Sequence, residues 1–304
     1  MQEKPLPRFV SPMLAKRGEA FDSKDHLFEI KWDGVRTLSF VEGGNARLFN
    51  RRGVELGDRY PELDYLRDLP PGTVLDGEIV LLRDGKPDFS AMMGREHVRD
   101  ADRTARLARS EPVTYVVFDL LYRDFESIMP RPLTERREHL GEVVNATPHA
   151  RWALSESVVE SGLQFFEEIQ KLELEGMVAK RLDSPYLSGM RTEAWTKIKP
   201  VHTLQCVILG YQLDDRGDLK SLIIGAPDDD GQLTCVGKVG SGLSGALRER
   251  LLEALRERPC TEPLIECNME GQWVEPGLFC AVEYLERTSG GGLRAPVFVG
   301  LVSE

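Results

Sequence analysis

From residue 28 onward the chain is a series of strand-length apolar runs cut by turn signals, a pattern that admits sheets and few long helices. "LFEIKW", "RTLSFVE", "ARLFN" and "TVLDGEIVLL" are each too short for a helical stripe, and "EGGN" and "RDG" punctuate them. "YVVFDLLY", residues 115–122, is apolar almost throughout and reads as a central strand. Helical patterns are fewer: "YPELDYLRDL", "RPLTERREHLGEVV" with Pro132 near its start, and "SGLQFFEEIQKL", which leads into a strand at "EGMVAKR". Residues 1–27 read as loop and short elements.

After "WTKIKP" the character changes. Five or so short strands and one helix, "SGALRERLLEALRER", suit a small Greek-key barrel such as an OB-fold. The expectation is an α+β fold: antiparallel sheets with helices over residues 1–200, then an all-β barrel over residues 201–304. A length of 304 residues, 41% of them hydrophobic, is enough for two cores. No window reaches the ~18 apolar residues of a membrane span, and the polar, Pro-broken start lacks a signal-peptide core. Cys206, Cys235, Cys260, Cys267 and Cys280 are odd in number and form no CxxC pair, so they read as reduced thiols of a cytoplasmic protein without zinc. A net charge of −11 argues against indiscriminate nucleic-acid binding but permits a local basic track.

Charges inside the strand-like runs point to chemistry. In "FEIKWDGVRTL", alternation puts Glu29, Lys31 and Asp33 on one face and Phe28, Ile30 and Trp32 on the other. Gly34 then ends the strand or lets a ligand approach the backbone. The pattern reads either as a salt-bridged edge strand or as a desolvated lysine nucleophile. Deprotonating an ordinary lysine at pH 7 costs about 4–5 kcal/mol, which burial, cations or metals lower. "LDGEIV" puts Asp76 and Glu78 on one face, either exposed or facing a divalent ion or ribose hydroxyl. "EGMVAK" adds Glu175 and Lys180, and "WTKIK" aligns Trp195, Lys197 and Lys199, a spacing that suits an anion. Residues 95–109 align Arg95, Arg99, Arg103 and Arg106 on one helical face, either solvated or tracking phosphates. Gly240, Gly242 and Gly245 form a literal G-x-G-x-x-G, but with no βαβ unit the pattern reads as a turn with a helix start at Ser244.

Lys31-Trp32-Asp33-Gly34-Val35-Arg36, Asp76-Gly77-Glu78, Phe118-Asp119, Glu175 to Lys180 and Trp195 to Lys199 occur in this order. Together they resemble the nucleotidyltransferase motifs of ATP-dependent DNA ligases. "SPMLA" at 11–15 and "DFSAMMGR" at 88–95 resemble the ligase domain of bacterial end-joining DNA ligases. The resemblance covers nearly the whole chain. It implies an ATP-grasp-like nucleotidyltransferase domain followed by an OB-fold, in a monomer that seals nicked double-stranded DNA.

By the same resemblance, Lys31 attacks the α-phosphate of ATP and carries AMP, which passes to a 5′-phosphate and is expelled by a 3′-hydroxyl. Glu29 corresponds to the acid that accepts from the adenine amino group, and Phe118 to the aromatic that stacks on the purine. Met177 or Val178 would cover the base, and Ile30 belongs to the same nucleotide-binding set. Arg36 and Arg51 correspond to arginines near ribose and phosphates. Arg52 is a substitute for Arg51, since Asn50-Arg51 stands where the family more often has Ser-Arg. Glu78 and Glu175 correspond to acids at a Mg²⁺ (or Mn²⁺) site, and Lys197 and Lys199 grip the α-phosphate with Lys180 as accessory. Repair or end-joining proteins are the expected partners, and a bacterial or phage-like, nucleoid-associated cytoplasmic location the expected setting.

One departure concerns the Arg-x-Asp-Lys motif that closes the family's OB domain after a stretch like "PVFVGL". Val302 stands at the arginine position, followed by Ser303 and Glu304. The expectation is an altered or truncated chain, or an impaired first step with sealing of adenylylated DNA retained. Competing readings are an RNA ligase, a capping-type guanylyltransferase and a non-catalytic DNA-end-binding protein.

Overall fold

The computed structural model describes residues 5–302 except 229 and 289, so Ser303 and Glu304, which follow Val302, lie outside the described residues. The chain divides into two compact units, Met1–Lys199 and Pro200–Glu304. Among the described residues no helix is long and apolar enough to cross a membrane.

The first unit is built on two sheets. One runs in the order Leu14–Arg17, Arg191–Ile198, Met177–Arg181, Ser23–Ile30, Ser157–Glu160. The other runs Trp152–Leu154, Thr114–Arg123, Thr73–Val80, Val35–Glu42, Asn45–Asn50. Pairing is antiparallel except for Leu14–Arg17 on Arg191–Ile198 and Trp152–Leu154 on Thr114–Arg123, which are parallel. Alternation along each strand sorts side chains into separate cores. Leu38, Phe40, Val74, Phe118, Tyr186 and Trp195 pack in one cluster to which both sheets contribute. Phe28, Met177, Ala179 and Ile198 point the other way, against Ile169 of the helix Gly162–Lys171. Leu75, Ile79, Tyr115 and Val117 pack with Leu140 and Val143 of the helix Leu133–Ala146.

Several local expectations are corrected. Residues 1–27 are not only loop: they hold Leu14–Arg17 and the start of Ser23–Ile30. That strand ends at Ile30, so Lys31, Trp32 and Asp33 lie beyond it and strand alternation does not orient them. Gly34 is required by the backbone, because a Cβ there would run into the Ile79 carbonyl oxygen. "YPELDYLRDL" forms tight 3₁₀ turns over Pro61–Asp68, without a capping side chain at Tyr60. The arginine-rich stretch is two helices, α1 (Phe89–Glu96) and α2 (Ala101–Ser110), because Asp100 caps the second through the Arg103 N–H.

The second unit is an antiparallel barrel around the long strand His202–Leu213. Leu219–Pro227 and then Leu233–Val239 line one side. On the other side Phe279–Tyr284 pairs with its first half, and Gln272–Val274 with Gly210 and Tyr211. The last strand, Val297–Val302, pairs with Phe279–Tyr284 and bridges back from Val297 to Ser241, which closes the sheet. Closure explains the glycine motif: Gly242 has φ +87°, and a Cβ there would strike the Phe298 carbonyl oxygen. Ser244 then precedes the unit's helix, Gly245–Arg256. The five cysteines are not all reduced: Cys235 and Cys267, half-buried and 32 residues apart, form a disulfide, leaving Cys206, Cys260 and Cys280 free.

Candidate active site

A cavity of about 250 Å³ opens in the first unit, with walls from both sheets. At one end, Lys31 follows the Ser23–Ile30 strand and its backbone N–H donates to the Gly176 carbonyl at 2.9 Å. Gly176 has φ +147°, and a Cβ would collide with the Ile198 carbonyl oxygen. That close approach puts the preceding Glu175 beside two lysines: Lys31 Nζ donates to its Oε2, and Lys199 Nζ lies 2.5 Å from its Oε1. Lys197 lines the cavity and titrates below an ordinary lysine, first through burial and then through Arg191, Lys31 and Lys199. Burial pushes the Glu78 carboxyl up to about 8, although Arg36 and Lys31 oppose the shift.

In the middle of the cavity, Arg36 is held by Asp76 through two 2.6 Å bonds, from Nε to Oδ1 and from Nη2 to Oδ2. Tyr186 donates its hydroxyl to Asp76 Oδ2 at 2.6 Å and accepts the Met13 N–H at 2.9 Å. Asp76 is fully buried, so the reading of an exposed acidic face does not describe it, and its oxygens meet Arg36 and Tyr186 rather than facing a divalent ion or ribose hydroxyl. The guanidinium lies 4.5 Å from the Phe118 ring centroid.

The far end is closed. Glu29 is 2% exposed, and both its oxygens are engaged inside the protein. Lys180 contacts Oε1, and Arg137 Nη1 donates to Oε2 at 3.1 Å. Lys180 Nζ also lies 4.2 Å from the ring centroids of both Phe118 and Trp195. Burial lowers the Lys180 pKa, with Glu29 pulling the other way.

The structure therefore brings Glu29, Ile30, Lys31, Arg36, Arg51, Glu78, Phe118, Lys180 and Lys197 to one cavity. Glu175 joins it through its ion pair to Lys31, and Lys199 through its own pair to Glu175. Met177 is not part of it. Its side chain is fully buried in the outer core, and Val178 lines the cavity instead, as alternation requires. Lys180 is not placed as an accessory of Lys197 and Lys199, because its amine is committed to Glu29.

The arginine track also changes. Arg95 is 2% exposed, donating to the Arg59 and Glu111 carbonyls and paired with Glu62, so it braces the core. Arg99 falls in the break between α1 and α2 and donates to the carbonyls of Glu96 and Val98. Arg103 and Arg106 are exposed on α2, and Arg52 is exposed in the turn after Asn50. Sequence reasoning missed Arg137, Tyr186 and Arg191. The signal for the first was spacing: Arg136 and Arg137 fall three and four residues after Leu133 and four and three before Leu140, on the helix's apolar stripe. Among the described residues no three His, Cys, Asp or Glu side chains gather as a metal cluster.

Comparison with known proteins agrees with the motif pattern. The family profile "ATP dependent DNA ligase domain" matches residues 12–199, and "ATP dependent DNA ligase C terminal region" matches residues 215–304. The multifunctional non-homologous end joining protein LigD of Pseudomonas aeruginosa is 34% identical over 310 residues, which take in 98% of this chain but 36% of that protein. The chain thus spans about a third of that relative's length. The SPbeta prophage-derived DNA ligase-like protein LigB of Bacillus subtilis is 31% identical over 95% of this chain and 98% of its own. The crystal structure of the ligase domain of M. tuberculosis LigD superposes with a TM-score of 0.59 at 32% identity, covering 96% of this chain and 95% of that one. A nucleotidyltransferase unit with this cavity, an OB-fold after it, and both profiles across the chain lead to one conclusion: the protein belongs to the ATP-dependent DNA ligase family.

Proposed function

We propose that this chain adenylylates itself on Lys31 and seals 5′-phosphate/3′-hydroxyl nicks in duplex DNA, in repair or end joining. The observation that carries the reading is the Lys31 amine at the cationic end of a cavity whose other end is apolar, with its one carboxylate, Glu29, already paired inside the protein. Lys31 Nζ bonds to the α-phosphorus of ATP, the bond to the β-phosphate bridging oxygen breaks, and pyrophosphate leaves. A DNA 5′-phosphate oxygen then displaces the lysine from the AMP phosphorus. Finally the 3′-hydroxyl attacks the activated 5′-phosphorus and AMP departs. Each step exchanges one bond to phosphorus, so the protein's task is alignment and charge neutralisation.

Glu175 orients the Lys31 amine, while Lys197, Lys199, Arg36 and Arg51 offer cations to the phosphates. Phe118 and Val178 give apolar walls for the purine, and Glu29 accepts from its 6-amino group. Glu78 and Glu175 are the residues that would hold Mg²⁺, a donor set that fits an ion completed by substrate phosphates and water. The raised Glu78 titration is consistent with a place for one more positive charge. Bound there, the ion would supply neutralisation of phosphate charge. Exposed Arg52, Arg99, Arg103 and Arg106 are the candidates for DNA phosphate contacts, with Arg95 withdrawn.

The test is incubation with labelled ATP and Mg²⁺, with a parallel assay on nicked DNA that already carries a 5′-adenylate. The expected result is a covalent adduct lost in Lys31→Ala, ATP preferred to GTP, and sealing of DNA rather than RNA nicks. Neither adduct nor sealing by the intact chain would overturn the reading.

A further inference from the structure

We propose that Arg137 is the positioning residue that makes Glu29 discriminate 6-amino from 6-oxo purines; the proposal rests on the reading that Glu29 faces the base. Arg137 projects from the helix Leu133–Ala146 and ties three separate strands to one point. Its Nη1 donates to Glu29 Oε2 at 3.1 Å and to the Phe118 carbonyl at 3.5 Å. Its Nη2 donates to the Ser155 carbonyl at 2.8 Å and to Ser157 Oγ at 3.2 Å. The guanidinium therefore fixes the acid that reads the base relative to the backbone of the ring that stacks on it.

The neighbouring side chain holds this arm in place. Arg136 is fully buried, and its Nε and Nη2 bond Asp119 at 2.7 and 2.8 Å. Asp119 immediately follows Phe118, so the helix is anchored to that strand at the ring's own carbonyl and at the next residue. With Arg136 directed to Asp119, Arg137 is left facing Glu29.

The chemistry follows from the inventory of donors and acceptors. A carboxylate has about four acceptor directions and no donor. Lys180 and Arg137 take one oxygen each, which offsets the cost of burying the charge. What remains to the nucleotide is an acceptor at a fixed place. It pairs with a 6-amino group and repels a 6-oxo group. Without Arg137 the Glu29 carboxylate loses one of two restraints, and the geometric basis of the choice weakens.

Equilibrium binding of α,β-methylene-ATP and α,β-methylene-GTP by calorimetry tests this, since neither analogue can release pyrophosphate. Glu29→Ala tests the underlying reading: it is expected to erase most of the adenine preference. Arg137→Gln is expected to reduce that preference by about 10- to 100-fold, chiefly by weakening the adenine analogue. Arg137→Lys, which keeps the charge and loses the fork, should fall between the wild type and Arg137→Gln. A purely structural arginine would weaken both analogues by one factor, and an unchanged preference ratio in Arg137→Gln overturns the proposal. If Arg137→Gln does not fold, wild-type discrimination in Arg137→Lys overturns it as well. An unchanged ratio in Glu29→Ala instead removes the base-reading role of Glu29, a failure visible apart from the other.

Discussion

The two ends of the cavity solve the problem of buried charge in opposite ways. At the Glu29 end every charge has its partner within the protein: Lys180 and Arg137 on Glu29, with Arg136 on Asp119 behind them. Those groups are nearly or wholly withdrawn from water. At the Lys31 end, Glu175 is shared by Lys31 and Lys199, while Lys197 is pulled down first by burial and then by Arg191 and both lysines. The first end is finished before any ligand arrives. The second carries a surplus of positive charge that only an incoming anion relieves. Such a division suits a molecule with a neutral base at one end and a polyphosphate at the other.

The largest expected effect lies at the Lys31 end. Lys31→Ala should abolish the covalent adduct, a loss of at least about 10⁴-fold in gel-based adenylylation, because no other nucleophile occupies its place. At the closed end, Arg136→Ala leaves Asp119 buried and unpaired and should cost about 3–5 kcal/mol, read from urea or thermal unfolding. Lys197→Ala should slow adduct formation by about 100-fold while leaving unfolding nearly unchanged, because removing it relieves repulsion in the free protein.

Glu78 sharpens the contrast through pH. Its folded pKa of about 8 lies above the ordinary 4.5, so the folded state holds a proton that the unfolded chain has released. The stability this contributes is complete below pH 4.5 and is lost as pH rises towards 8. Glu78→Gln should flatten the melting temperature across that window, and equal slopes in both proteins would refute the assignment. The smallest effect is expected outside the cavity. Arg103→Ala should lower nicked-DNA affinity only modestly and reduce the salt dependence by about one phosphate contact. Arg95→Ala should act on stability instead.

Much of this was legible along the chain, and the parts that were not have identifiable physics. The Thr114–Arg123 strand, the helices after Pro132 and Gly162, and the change of character at Pro200 follow from local periodicity. Periodicity also says that Met177 and Val178 face opposite ways, but not which way faces the cavity. That is decided by helix Gly162–Lys171, which takes Met177. The arginines at 95–106 keep helical spacing in the sequence, yet a side-chain cap at Asp100 breaks the face in two. Arg137 and Tyr186 escaped notice because their partners, Glu29 and Asp76, are 108 and 110 residues away. No window of neighbouring residues contains such a pair. The disulfide between Cys235 and Cys267 was hidden for the same reason.

The Tyr186 hydroxyl has a practical consequence for anyone handling this protein. It takes the Met13 amide with one hand and grips Asp76 with the other, and Asp76 steers Arg36. Residues 12–15, which run into the edge strand Leu14–Arg17 and line the cavity, are thereby tied to the Arg36 guanidinium. Displacing that segment is expected to shift the cavity wall and the Arg36 guanidinium together, with Arg36 itself unchanged in sequence.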